Sequence, residues 1–138
     1  MHGSEQPPRV MTVSGLHHVA VICSDYPASR RFYTEVLGLK ILSEIYRAER
    51  DSYKLNLEIP GGTQIELFSF PAAPKRLSYP EARGLRHLAF VVCNLDRELA
   101  ELTARGVAVE AIRVDAVTGK RFTFFADPDG LPIELCEE

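Results

Sequence analysis

The sequence predicts an α+β fold made of two consecutive βαβββ modules, and three observations carry that reading. The segment His18-Val19-Ala20-Val21 returns as His87-Leu88-Ala89-Phe90 after 69 residues, and Ile65-Glu66-Leu67 returns as Ile133-Glu134-Leu135 after 68. Pro60 and Gly62, ahead of the first IEL, are matched at the same 68-residue offset by Pro128 and Gly130. Each half also shows the same order of elements. Self-similarity at a fixed period is the mark of one supersecondary unit used twice.

The elements follow from local chemistry. Residues 16–23 and 85–93 are short, apolar and rich in β-branched side chains, which predicts a buried strand opening each half. A helix follows each strand. In the first half Asp25 is a natural N-cap, Pro27 suits the first turn, Phe32, Val36 and Leu37 form an apolar face, and Gly38 stops the helix. Asn94, Leu95, Leu99, Leu102 and Gly106 play the same parts in the second. Three strands then complete each module, over 40–47, 53–59 and 64–70, and over 107–114, 121–126 and 131–137. Gly61-Gly62 and Asp129-Gly130 supply the hairpin turns. The organisation expected is a flexible tail over 1–15 and one domain over 16–138, with module one at 16–70, a proline-containing linker at 71–84 and module two at 85–138.

Composition narrows the function. With 46% hydrophobic and 25% charged residues in 138, the chain has the make-up of an ordinary globular domain. Sixteen Lys and Arg against 19 Asp and Glu give a formal charge of −3 with no long run of one sign. Nucleic acid and anionic membranes are therefore poor partners, and a small-molecule substrate fits better. No stretch reaches the roughly 18 apolar residues of a membrane span, and the opening, with Pro7 and Pro8, lacks the apolar run of a secretory signal. Cys23, Cys93 and Cys136 are odd in number, lack CxxC spacing and sit within apolar patterns, which points to buried thiols in a reducing cytoplasm.

Strand alternation then sorts the polar residues by face. In the opening strands His18, Ala20 and Ile22 share one face, as do His87, Ala89 and Val91. Apolar Ile65 and Leu67, and Ile133 and Leu135, continue the helix-covered face, which turns Glu66 and Glu134 toward the histidines on the concave side. Taken singly, such a His is usually a hydrogen-bonded core residue and such a Glu usually faces water. Four together read differently, because the separations are nearly equal, 48 residues from His18 to Glu66 and 47 from His87 to Glu134. Two carboxylates held near one point need a counter-charge, and a bound cation supplies it. His18, Glu66, His87 and Glu134 are therefore the expected metal ligands. His17 competes with His18, but its parity puts it beneath the helix and His87 has no second His beside it. His2 lies in the tail and is left aside. Two imidazoles and two carboxylates suit a divalent ion, Ni²⁺ or Zn²⁺ first, with Co²⁺ and Mn²⁺ also compatible.

The segments HVAVICSD, FYTEVLGL, IELFSF, LRHLAF and FADPDGLPIEL resemble the vicinal-oxygen-chelate (glyoxalase/bleomycin-resistance/dioxygenase) superfamily, and within it glyoxalase I, lactoylglutathione lyase, from about residue 15 to the C-terminus. ERDSYK and KRFTFFADPDGLPIEL are similar to a branch of glyoxalase I-like metalloproteins labelled YaeR. The resemblance implies a metal at His18, Glu66, His87 and Glu134, Lewis-acid activation of vicinal oxygens, and proton transfer with Glu134 as general base and Glu66 as the steadier ligand. It also implies a homodimer whose modules pair between chains, although a linker of about fourteen residues would equally allow pairing within one chain. Two glutathione-binding positions depart from the pattern: an Arg four residues after the first His ligand is Ile22 here, and an Asn four after the first Glu ligand is Phe70. Glutathione is thereby disfavoured. Arg47, Arg50, Lys54, Arg86, Arg113, Lys120 and Arg121 lie near predicted strand ends, where most are solvated charges and some could meet an anionic substrate. Two alternatives stay open: another chelate metalloenzyme, an epimerase or a dioxygenase, and a metal-free binding or resistance module.

Overall fold

The computed structural model describes Gly3 and residues 10–138; most of the expected tail, His2 included, lies outside the described residues. Two four-stranded sheets follow one another along the chain. The first contains β1 (His18–Cys23), β2 (Lys40–Arg47), β3 (Ser52–Glu58) and β4 (Gln64–Ser69) in the order β1-β4-β3-β2. The second repeats it with β5 (Leu88–Val92), β6 (Arg113–Val114), β7 (Arg121–Ala126) and β8 (Pro132–Glu137) in the order β5-β8-β7-β6. In both, the opening strand runs parallel to the last and the other pairings are antiparallel. This is the two-module α+β architecture read from the repeat.

The caps act as their chemistry requires. The Asp25 carboxylate accepts the Ala28 N–H at 3.2 Å to open α1 (Tyr26–Arg31), and Asn94 accepts the Arg97 N–H at 3.1 Å to open α2 (Leu95–Ala104). Gly38 (φ 71°) and Gly106 (φ 78°) take the left-handed conformation that ends each helix without a Cβ penalty. Beyond Arg31 the first helix widens into a π-helical segment, Phe32–Val36. The wider turn lets Phe32 and Tyr33 both face inward, and both are buried.

The hairpin turns are duplicated to the hydrogen bond. Ile59 N–H donates to Thr63 O and Gly62 N–H to Ile59 O; in the second half Asp127 N–H donates to Leu131 O and Gly130 N–H to Asp127 O. What differs is the side chain. Asp127 is buried, and its carboxylate accepts the Asp129 and Leu131 N–H groups at 2.9 Å and the Tyr33 hydroxyl at 2.8 Å, tying module two to module one. Asp129 adds a second tie by accepting the Ser24 N–H at 3.1 Å.

The second strand of module two, β6, is far shorter than the expected 107–114. Only Arg113 and Val114 pair with β7, because the inward-facing residues Val107, Val109 and Ile112 break the two-residue alternation a regular strand needs. The helix-covered faces of both sheets join one apolar cluster, with Leu55, Leu57, Ile65 and Leu67 from module one and Leu95, Phe125, Ile133 and Leu135 from module two. Phe32 and Phe125 meet across the seam with ring centroids 6.1 Å apart. A cleft of about 810 Å³ opens beside it, lined by residues such as Val36, Leu88, Phe90 and Leu102. No helix among the described residues is long and apolar enough to cross a membrane.

Removing the Asp127 carboxylate strands the buried Tyr33 hydroxyl and two backbone donors. Asp127→Ala should therefore cost about 3 kcal/mol and Tyr33→Phe about 1 kcal/mol, read as lower urea midpoints at unchanged m.

Candidate metal centre

The parallel ladders decide where the four candidate residues stand. In module one Ala20 is the partner of Glu66, and in module two Ala89 is the partner of Glu134. Each histidine lies two residues before its alanine, on the same face, one ladder step from the glutamate. His18 Nε2 consequently lies 3.5 Å from Glu66 Oε2, and His87 Nε2 lies 3.0 Å from Glu134 Oε1. These are suitable separations for neighbouring ligands, since two donors bonded at about 2.1 Å to one ion and at right angles are about 3 Å apart. Both carboxylates are largely sheltered, at 12% and 17% side-chain exposure, while the His18 ring is 40% exposed. An N,O pair of this kind on each sheet fits a borderline divalent ion by donor chemistry.

The surroundings of the two pairs are not the same. Lys54, one ladder step from Glu66 on its face, places Nζ 3.8 Å from Glu66 Oε1. Of the three thiols expected to be buried only Cys23 is: Cys93 is exposed because it lies beyond the end of β5, and Cys136, half-buried on the Glu134 face, donates its thiol to Glu134 Oε2 at 3.2 Å. Burial, then this hydrogen bond, pushes the Cys136 thiol up to about 11, so it stays a protonated donor at neutral pH. His87 stands edge-on to Phe124, with centroids 5.2 Å apart, and its Nδ1 is buried without a hydrogen-bond partner.

His17 does not lie beneath the helix. It precedes the first residue of β1, so strand alternation does not bind it, and it is exposed with its Nδ1 2.8 Å from His18 Nδ1. That contact leaves His18 Nε2 turned to Glu66. Sequence alternation could not have found it, because it forms where the ladder has not begun.

Each His–Glu pair is assembled within its own module, but one chain does not bring the two pairs together. Among the described residues no three His, Cys, Asp or Glu side chains gather as an ion would require. The helix-covered faces meet at the module seam, and the ligand faces are left open: His18, Ala20 and Ile22 are exposed on one, Ala89 and Val91 on the other.

Residues 15–135 match the family model of the Glyoxalase/Bleomycin resistance protein/Dioxygenase superfamily. The chain belongs to that superfamily. It is 55% identical to "Uncharacterized protein YwkD" of Bacillus subtilis (strain 168), over 93% of this chain and all of that one. It is 54% identical to "Uncharacterized protein YaeR" of Escherichia coli (strain K12), over 89% and 95% of the two. The crystal structure of the glyoxalase family protein from Enterococcus faecalis aligns with a TM-score of 0.85 at 47% identity, covering 92% of this chain and 100% of that one. More distant superfamily relatives include a 2-epi-5-epi-valiolone epimerase of Actinomyces sp, 28% identical over 87% of this chain and 77% of its own length. A lactoylglutathione lyase of Schizosaccharomyces pombe is 26% identical over 93% of this chain and 49% of its own length. A putative ring-cleaving dioxygenase, MhqE of Bacillus subtilis, is 25% identical over 93% and 43%.

A thiol raised to about 11 has a thiolate fraction about 100-fold below that of an ordinary thiol near 9. The thiolate of a high-pKa thiol is also more nucleophilic, which offsets about half of that effect on a logarithmic scale, so in protein stripped with EDTA iodoacetamide at pH 7.5 should label Cys136 about 10-fold more slowly than an unperturbed thiol. Peptide mass spectrometry over time measures this.

Proposed function

We propose that this chain is a divalent-metal-dependent lyase or isomerase of the glyoxalase I type, working as a homodimer. Each centre would take His18 and Glu66 from one subunit and His87 and Glu134 from the other. The observation that carries the reading is the pair of His–Glu half-sites: same ladder partners, same face and similar ligand separations of 3.5 and 3.0 Å, on sheets whose open faces do not meet within one chain. A second copy completes them. It would also cover Ile22, Ile45 and Val91, all more than half exposed on those faces.

His18, Glu66, His87 and Glu134 would hold the ion, and a bound divalent ion supplies Lewis acidity toward two vicinal oxygens of a small substrate. The chain's own groups do the rest. The salt bridge from Lys54 steadies Glu66 as a ligand. Glu134 is the proton carrier, the role the family resemblance gives it, and the Cys136 thiol orients its carboxylate. An epimerase is the second reading, favoured by one specific feature: a carboxylate on each half-site would let one take and the other return a proton at opposite sides of a carbon. A dioxygenase fits less well, since its facial triad needs three protein ligands and open positions.

Protein purified without chelator should carry one divalent ion per subunit, and Glu66→Ala or His87→Ala should each lose it with circular dichroism unchanged. Mixing the two variants after reversible dissociation should restore about a quarter of the sites, because half of the dimers are then hybrid and each hybrid has one intact centre. Full metal in both single variants would overturn the ligand set; no recovery on mixing, or a monomer in sedimentation, would overturn the shared centre.

Glutathione is a poor candidate for the thiol. Ile22 lies on the Glu66 face and Phe70 stacks on Phe68 with centroids 5.9 Å apart, so neither position offers a charged or amide partner. Loss of one charge-assisted hydrogen bond removes roughly 1.5–3 kcal/mol. Turnover of the methylglyoxal–glutathione hemithioacetal by metal-loaded protein should be weak with Ni²⁺, Zn²⁺, Co²⁺ and Mn²⁺ alike. A kcat/KM near the diffusional range would restore glutathione as the co-substrate.

A further inference from the structure

The cations near strand ends fall into distinct groups once their partners are known. Arg121 is consumed by Asp96 and Glu137, and Arg113 is held by Glu110 while lying over Phe122 and Phe124. Arg47 and Lys54 are different. Arg47 is the ladder partner of Ser52, Lys54 of Phe68, and Asn56 of Glu66, so both cations stand on the Glu66 face. They converge on one ring: the Arg47 guanidinium carbon is 5.0 Å from the Phe68 centroid and Lys54 Nζ is 5.9 Å from it. Arg47 donates to Ser52 Oγ at 3.1 Å, and its Nε is buried with no hydrogen-bond partner.

Two positive groups brought to one aromatic ring repel each other, and Glu66 offsets only one of them. Once Glu66 serves as a metal ligand, its charge is shared with the ion and the local excess becomes larger. A buried guanidinium N–H without an acceptor is likewise costly unless something arrives to accept it. Lys54 sits two residues along β3 from the position opposite Glu66, about 7 Å along the strand. A charged group bound there would lie within one small molecule's length of the His18–Glu66 pair.

Module two has no such converging pair: its cation on this face, Arg113, lies over Phe122 and Phe124 and is neutralised by Glu110. The residues 68 positions on from Lys54 and Asn56 are Phe122 and Phe124, and in the ladder Phe122 faces Cys136 while Phe124 faces Glu134. The duplicated face thus carries two cations against one carboxylate in module one, and a charge-neutral Arg113–Glu110 pair beside two aromatic rings in module two. We propose that the substrate is a small anion with an apolar portion, whose carboxylate or phosphate is taken by Lys54 and Arg47 of one subunit while the rest lies against Phe122 and Phe124 of the partner subunit. This rests on the metal-centre reading above, and it assigns to Lys54 and Arg47 the selection of substrate charge.

The test compares two bidentate oxygen ligands on metal-loaded protein by calorimetry at low salt: acetohydroxamate, and succinomonohydroxamate, which carries the same chelating group plus a carboxylate. The dianionic-capable ligand should bind about 10-fold more tightly, with a preference that falls as salt rises. Lys54→Gln should abolish that ratio, Arg47→Gln should reduce it, and Lys54→Arg should keep it; metal content is measured on every sample. Using a ratio cancels any change in metal occupancy caused by the substitutions. Equal affinities in metal-loaded wild type, or a ratio unchanged in Lys54→Gln, overturn this inference alone. Failure of wild-type protein to bind any divalent ion overturns the metal-centre reading and this inference with it.

Discussion

The parallel pairing of the first and last strand in each module is the constraint on which the rest depends. Because β1 runs alongside β4 with Ala20 opposite Glu66, the residue two before Ala20 must stand on the glutamate's face and one step along it. The same register sets Ala89 opposite Glu134 and brings His87 to its carboxylate. A slip of one residue would turn either histidine to the helix side and separate the pair. Parallel strands need a long crossover, and here each crossover carries the helix that covers the opposite face. Helix caps, turn glycines and the apolar residues of the odd-numbered face of module one all act to hold that register.

The seam between modules is built from what the turns and helices offer to one another. Asp127 occupies the position that Ile59 holds in the first half, and it converts a plain hairpin turn into a buried acceptor for Tyr33. The Tyr33 hydroxyl is raised well above the ordinary tyrosine range, first by burial and then by the Asp127 charge, so it remains a donor at every physiological pH. A tie of this kind, with Ser24 and Asp129 beside it, joins the modules through their helix-covered faces. The ligand faces are then left looking outward. The centre proposed between two copies of the chain would follow from which faces the seam consumes.

Duplication also leaves the two halves free to diverge in side-chain chemistry. The backbone frame, the turns and the His–Glu spacing are held in common, whereas the neighbouring face positions have diverged: Lys54 against Phe122, Asn56 against Phe124, Phe68 against Cys136. Ladder partners keep a side chain on its face but place little restriction on its chemistry. The proposed pair of half-sites would therefore face different surroundings, Lys54 and Arg47 on one side and Phe122 and Phe124 with the Arg113–Glu110 pair on the other.

Much of this was legible from the residues alone. The repeat, the caps at Asp25 and Asn94, the stops at Gly38 and Gly106, and the shared face of each His–Glu pair are local or periodic properties, set by a few neighbouring residues and by the two-residue period of a strand. The π-helical widening that buries both Phe32 and Tyr33, the shrinking of the strand near Ile112 to Arg113 and Val114, and the exposed place of His17 escaped that logic. Each occurs where regular periodicity stops. Of the seven cations near strand ends, sequence could not say which had partners, since Asp96 and Glu137 reach Arg121 from a different helix and strand. Above all, only the tertiary structure decided that the two half-sites stand apart in one chain. Alternation is a property of a single strand, but the choice of which sheet faces pack together depends on apolar area summed over two sheets and two helices, and on a buried Asp127–Tyr33 hydrogen bond spanning 94 residues.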